Sequence, residues 1–204
     1  MVQNWAMSHS SLDTSDDPRA LRSRRRLSEA LIRMLRREDL ASIGVAELCR
    51  EAGVHRTTFY GHFDSVGDLA AEVFASIIDD ASAVTPPHGR PIEDVSGAYL
   101  DATVAIIEAV ARDRRAIRTL LESDVSHAFR AHMRDQFIRR ADTAIGVMRD
   151  NGIVVPDNTD VSAAYIAGGM VSTIELWASS DSDDTQAYAR SMFENMPAWW
   201  PLPG

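Results

Sequence analysis

The sequence predicts an all-α fold of about nine helices, in which a three-helix N-terminal head is joined by a connecting helix to a C-terminal helical bundle. Apolar residues recur at three- and four-residue intervals through most of the 204 residues, and this is the spacing of one face of an α-helix. By contrast, no stretch of useful length alternates apolar and polar residues as a half-buried β-strand does.

The composition is that of a globular protein, with 45% hydrophobic and 25% charged residues. No apolar run approaches the roughly 18 residues of a membrane span, and the single cysteine, Cys49, can form no internal disulfide. Residues 1–20 lack the apolar segment of a secretory signal and are predicted to be a disordered leader. These features predict a cytoplasmic protein without a membrane partner.

The head is predicted over residues 21–64. Arginines cover the outer face of its first helix, and the apolar stripe of that helix is Leu27, Ala30, Leu31, Met34 and Leu35. A short second helix over residues 45–52 ends at Gly53, because glycine commonly follows a helix end. A third helix is predicted over residues 56–63.

A second helical domain is predicted over residues 65–197, followed by a tail over residues 198–204. Its first helix, which connects it to the head, begins at Ser65, and Asp68 three residues later completes a capping-box pattern. The segment TPPHGRP, residues 85–91, ends this helix because it contains proline and glycine. Five more helices are predicted, and they begin near residues 91, 113, 126, 158 and 183.

The segment ELCREAGVHRTTFYGHF has the form of a helix-turn-helix, that is, two short helices joined by a tight turn containing glycine. Phe59 and Phe63 are four residues apart and are predicted to face inward together. The outward residues are of types that pair with base edges and phosphates in DNA. These candidate DNA-binding residues are Arg56, Thr57, Thr58, Tyr60, Gly61 and His62.

This segment lies in a basic block of an acidic protein. Residues 19–64 contain 10 Arg and 6 Asp or Glu, whereas residues 65–204 contain 11 Arg and 21 Asp or Glu, and the whole chain has a formal net charge of -9. A basic block favours a nucleic-acid partner, although a solvated surface is the common alternative.

Residues 45–74 resemble the DNA-binding region of the tetracycline-repressor (TetR) family of transcription regulators. The resemblance extends over about residues 21–80 and rests on Ala52-Gly53-Val54, Thr58-Phe59-Tyr60, His62-Phe63 and Leu69. It implies a homodimeric repressor that binds a palindromic site on double-stranded operator DNA and is released by a small-molecule inducer. It also implies that the arginine cluster around Arg24 and Arg25 lies near the DNA backbone.

Three positions depart from the usual pattern of the family. His55 stands where the family has serine or a similar cap, Gly44 where it often has threonine, and Val66 where it commonly has lysine. Histidine caps helices poorly, and neither glycine nor valine can hold a phosphate. These departures predict a weaker electrostatic contribution to DNA affinity.

Large residues with polar groups in the second domain indicate a ligand pocket, although ordinary core and surface is the alternative for each of them. The candidates are Tyr99, His127, Phe129, His132, Met133, Phe137, Met170 and Trp177. The two histidines are five residues apart, so they do not share the helical face of an i, i+4 metal pair, and no metal is expected.

A ladder of small residues, Ala164, Gly168 and Ser172, allows one helix to approach another closely. Packing inside the subunit is one explanation of this ladder. The family resemblance implies the other, an interface between the two subunits of a homodimer.

An enzyme is not expected, and neither is a cofactor, because the sequence shows no nucleophile–base pattern, metal-ligand spacing or glycine-rich phosphate loop. A DNA-binding regulator without a small-molecule ligand remains as the alternative. Its second domain would serve only dimerisation or protein partners, and a packed domain without a cavity would favour it.

Overall fold

The computed structural model describes residues 18–81 and 92–202. Within these ranges it has nine α-helices, one short 3-10 helix and no β-strand, so the predicted all-α fold is confirmed. The elements are α1 (Pro18–Leu35), the 3-10 helix (Leu40–Ser42), α2 (Val45–Ala52), α3 (Arg56–Tyr60), α4 (Val66–Ala81), α5 (Ile92–Arg112), α6 (Arg114–Leu121), α7 (Ser126–Asp150), α8 (Thr159–Ser179) and α9 (Thr185–Glu194).

Parts of three predicted segments lie outside the described residues. These are residues 1–17 of the predicted leader, the whole predicted break at 85–91 with the preceding residues 82–84, and the last two residues of the tail. Residues 18–20 were predicted to belong to the leader, but they form the first turn of α1. Proline is well tolerated in the first turn of a helix, which explains how α1 can begin at Pro18.

The head is built around the aromatic side chains that the sequence placed inward. Phe59 is fully buried, and its ring centroid lies 5.8 Å from that of Phe63. Both residues belong to one buried cluster with apolar residues of α1, α2 and α4. Burying a phenylalanine side chain stabilises a fold by about 1.5–3 kcal/mol. These two residues therefore hold the short α3 on the head although α3 is too short to be stable alone.

The turn between α2 and α3 requires glycine. Gly53 has φ +61° and ψ +41°, a left-handed conformation, and its N–H donates to the carbonyl of Arg50. A Cβ at this position would lie 2.7 Å from the Nη2 atom of Arg26. The residue at the next N-cap, His55, gives α3 no side-chain cap.

Helix α4 connects the head to the body, and its start is capped as predicted. The Ser65 hydroxyl accepts the Asp68 N–H at 3.1 Å and donates to the Asp68 carboxylate at 2.8 Å. The N-terminal part of α4 packs on α1, and the helix also packs against α5, α6 and α7 of the body. Its buried residues are Val66, Leu69, Ala70, Val73, Phe74, Ala75 and Ile78.

The body is a bundle in which α7 lies along α8 and α5 packs on α9. Trp177 of α8 is fully buried, and its indole N–H donates to the carbonyl of Ile107 at 3.0 Å. The Arg114 guanidinium lies 4.6 Å from the indole centroid, so it adds a cation–π contact to this centre. Within the described ranges, no helix has the length and apolar character needed to cross a membrane.

We expect Gly53→Ala to destabilise the protein by about 1–2 kcal/mol, because a side chain in the left-handed region clashes with its own backbone. The nearby Arg26 would also have to move. The matched control is Gly146→Ala inside α7, where a Cβ meets open space and should stabilise the helix by roughly 0.5–1 kcal/mol. Urea unfolding of both variants measures the change in the free energy of unfolding. Equal changes of the same sign in the two variants would contradict the argument about the left-handed conformation of Gly53.

We expect His55→Ser to raise the free energy of unfolding by about 1 kcal/mol, because a serine hydroxyl at an N-cap accepts a backbone N–H of the first helical turn. His55 is exposed and supplies no such bond. The check is urea unfolding beside Ser65→Ala, which removes an existing cap and should lower stability by a similar amount. An unchanged or lowered stability of His55→Ser would refute the capping argument.

Candidate nucleic-acid interface and body cavity

Four of the six residues of the segment 56–62 that were predicted to bind DNA are exposed, on α3 or directly after it. Arg56, Thr57, Tyr60 and Gly61 are exposed, and 56% of Tyr60 is open to solvent. The Tyr60 ring packs edge-on against Phe59, with centroids 5.4 Å apart. This contact orients the ring from below while the phenol group faces outward.

The other two residues, Thr58 and His62, are half-buried. The His62 ring centroid lies 6.2 Å from that of Phe63, at the edge of the head's core. The α-helix ends at Tyr60 rather than at residue 63 as predicted. Backbone hydrogen bonds from Gly61 to Thr57 and from Phe63 to Phe59 nevertheless continue the helical turn and keep Phe63 facing inward.

The two arginines predicted near the DNA backbone occupy different environments. Arg24 forms an ion pair with Glu72 of α4, and its guanidinium lies 5.3 Å from the Phe63 ring centroid. Arg25 is 76% exposed and pairs loosely with Glu29 one turn away, at 3.4 Å. Of the two, Arg25 is therefore the more exposed, whereas Arg24 joins α1 to α4.

The three positions that depart from the family pattern offer no replacement contact. Gly44 and His55 precede α2 and α3 without a side-chain cap, and Val66 is buried in the core.

Cys49 of α2 is also buried, and burial raises the pKa of its thiol. It is a packing residue of the head.

The body has a solvent-open cavity of about 390 Å³ between α4, α5, α7, α8, α9 and the C-terminal segment. Three of the predicted pocket residues line it: Tyr99, Phe137 and Met170. Its other apolar walls are Ala102, Ile106, Ala141, Ala144, Ile166, Met192, Phe193, Met196 and Trp200.

The remaining predicted pocket residues lie elsewhere. His127 and His132 are exposed on α7, while Phe129, Met133 and Trp177 are buried in the core outside the cavity wall. Phe129 and Met133 share the inward stripe of α7 with Phe137, but they lie about 12 and 6 Å further along the helix axis. Helical periodicity indicates which face is inward and not where along that face a cavity opens.

The polar wall of the cavity was not predicted. It comes from Gln136, Arg139, Arg140 and Thr143 of α7 and from Asp79 near the end of α4, together with Thr103 of α5. The Arg140 Nη2 atom lies 2.7 Å from the Asp79 Oδ1 atom and 2.5 Å from the Asp79 carbonyl oxygen. The i, i+4, i+7 spacing of Gln136, Arg140 and Thr143 was the available sequence signal, since it places them on one helical face.

Two aromatic residues of the cavity carry hydrogen-bond donors. Burial raises the pKa of Tyr99 to about 12, so its phenol keeps its proton at neutral pH. The Trp200 ring packs edge-on against Tyr99 at 5.5 Å, and its buried indole N–H has no partner among the described residues. Ser96 donates to the carbonyl of Pro201 and thereby fixes this part of the tail to α5.

The predicted small-residue ladder lies on an open face of α8. Ala164 and Ser172 are exposed and Gly168 is half-buried. The same face carries three exposed apolar side chains, Val161, Tyr165 and Leu176, which are 62%, 69% and 63% open to solvent. Elsewhere in the described part of the chain, no group of three or more His, Cys, Asp or Glu is arranged to hold a metal ion.

No family model matches the chain, and no curated protein matches its sequence. Solved structures do match its fold. The structure of RolR in complex with the ligand resorcinol has a TM-score of 0.63 and 18% identity, over 91% of this chain and 97% of that one. RolR without ligand gives a TM-score of 0.62 and 16% identity, over 88% and 98%.

Two further matches carry the family name. The TetR-family repressor AlkX from Dietzia sp. strain DQ12-45-1b, implicated in biodegradation of n-alkanes, has a TM-score of 0.54 and 18% identity, over 88% of this chain and 98% of that one. A putative TetR-family transcription regulator from Shewanella sp. PV-4 has the same TM-score and 15% identity, over 87% and 96%. The chain has the all-helical fold of TetR-family transcription regulators.

Proposed function

We propose that this protein is a DNA-binding transcription regulator that acts as a homodimeric, ligand-responsive repressor in the cytoplasm. The observation that carries the proposal is the outer surface of α3, where Arg56, Thr57 and Tyr60 are exposed on a helix anchored by buried Phe59. Such side chains make the phosphate and base-edge contacts by which helix-turn-helix proteins bind DNA. The likeness in fold to transcription regulators supports the same function.

The body cavity favours a ligand-responsive regulator over one whose second domain serves only dimerisation or protein partners. A volume of about 390 Å³ lies within the range of small-molecule sites, and its mainly apolar walls with a few polar groups are typical of them. The structural neighbour RolR was solved with resorcinol bound. A small molecule that binds one arrangement of the heads better than the other would release the protein from its operator.

The open face of α8 supports dimerisation. Three large apolar side chains exposed along one helix face, beside small residues that permit close approach, form a surface that monomers rarely leave in water. A second copy related by a twofold axis would cover this face with the same residues. It would also present two α3 helices to a palindromic site, with half-sites about 34–36 Å apart.

We expect Tyr60→Ala to weaken operator binding more than tenfold, because a hydrogen bond to a charged phosphate contributes about 1.5–3 kcal/mol. Tyr60→Phe keeps the ring on Phe59 and removes only the hydroxyl. We expect it to weaken operator binding by a similar factor. The measurement is a gel shift at low salt with the DNA upstream of the protein's own gene.

The same gel shift compares Arg56→Ala with Arg149→Ala, which removes an exposed arginine of the body. We expect the first to weaken binding and to flatten its salt dependence, and the second to bind as the wild type does. Absence of any wild-type shift at low salt would falsify the proposal. Unchanged binding by both Tyr60 variants would contradict the role of that residue.

We expect Leu176→Glu to convert the dimer to a monomer and to lower operator affinity, because it buries an unpaired charge in the apolar interface. Leu202→Glu is the matched control, since Leu202 is another exposed apolar residue, 57% open, outside α8. Sedimentation velocity at micromolar concentration gives the readout. A monomeric wild type, or a dimeric Leu176→Glu, would show that this face is not the interface.

A further inference from the structure

We propose that the body cavity binds a small, mostly apolar molecule carrying a single anionic group, and that this group pairs with Arg140 in competition with Asp79. The inference rests on the proposed ligand response and deepens it, because it names the chemical class of ligand and the contact through which the ligand acts. Three observations lead to it: the charge of the polar wall, the residue types of the apolar walls, and the position of Asp79 on α4.

The described residues of the polar wall carry one more positive than negative charge. Arg139 and Arg140 face a single acid, Asp79, around the cavity. Arg140 is already paired with Asp79, whereas the Arg139 side chain makes no ion pair with any residue in the described ranges. One anionic group would neutralise this wall, and guanidinium groups hold carboxylates through short, charge-assisted hydrogen bonds.

The other walls select an apolar and preferably aromatic body. Tyr99, Phe137, Phe193 and Trp200 supply ring faces and edges, and Met170, Met192 and Met196 supply thioethers that pack well against rings. Trp200 is buried with its indole N–H unpartnered among the described residues.

The competition with Asp79 gives the site its effect on the head. Arg140 binds both the side chain and the backbone carbonyl of Asp79, so it joins α7 to the last described turn of α4. An anion that draws Arg140 away breaks these bonds to Asp79 and weakens the contact between α4 and α7. The same helix carries Glu72, which holds Arg24 of the head.

The probes that test this are biphenyl-4-carboxylate and the neutral biphenyl-4-carboxamide, which has nearly the same shape. They are titrated into the full-length protein without DNA at pH 7.5, followed by tryptophan fluorescence and calorimetry. We expect the carboxylate to bind about tenfold tighter or more, as a charged hydrogen bond should allow. Failure of both probes to bind, or equal affinities, would overturn the proposal.

Three variants locate the interaction. Arg140→Gln should remove the preference for the carboxylate, while Arg134→Gln, an exposed arginine of α7 outside the cavity wall, should keep it. Asp79→Asn removes the competitor, so it should tighten carboxylate binding several-fold and leave carboxamide binding unchanged. Weaker carboxylate binding by Asp79→Asn would show that Asp79 assists rather than competes, and would overturn the mechanism even if Arg140→Gln folds poorly.

These titrations are independent of the gel shift. Arg140-dependent carboxylate binding by a protein that shifts no DNA would refute the proposed function and keep the ligand class. A protein that shifts DNA but does not distinguish the probes would keep the function and refute the ligand class.

Discussion

Helix α4 is the element on which the arrangement of the molecule depends, because its buried face packs on both the head and the body. One ion pair joins it to the head and another joins it to the body. Glu72 pairs with Arg24 of α1, and Asp79 pairs with Arg140 of α7. The two acids are seven residues apart, so they lie on one face of α4 about 10 Å apart along its axis. A change at either pair therefore acts on the position of the whole helix.

The acidic total of the chain hides a separation of charge between a basic head and an acidic body. The excess of arginine is confined to residues 19–64, and the excess of acid lies in residues 65–204. Within the head, acids on α1, α2 and α4 neutralise part of the arginine charge. The unpaired positive charge of the head is therefore more local than the composition of the head indicates.

The fold could be predicted from the sequence because each helix carries its own signal. The apolar stripe of α1, the capping pair Ser65 and Asp68, and Gly53 at the end of α2 were all local and all correctly placed. The cavity could not be predicted in the same way, since six parts of the chain contribute to its walls. Its location depends on the axial position of each helix relative to its neighbours, and no single stretch of sequence determines that position.

The arginines likewise show that the sequence does not reveal which side chains are paired, whereas the structure does. By sequence Arg24 and Arg25 were equivalent members of one basic cluster, but α4 brings Glu72 to only one of them. An arginine held by an acid of its own chain would have to break that pair before it could bind a ligand, so it is better suited to fix two elements together. Arg56 on the head and Arg139 in the cavity have no acidic partner among the described residues. The pairing of each guanidinium therefore identifies arginines that are tied to the fold, whereas the proposed DNA contact and the proposed ligand contact of the cavity each include an arginine that is not.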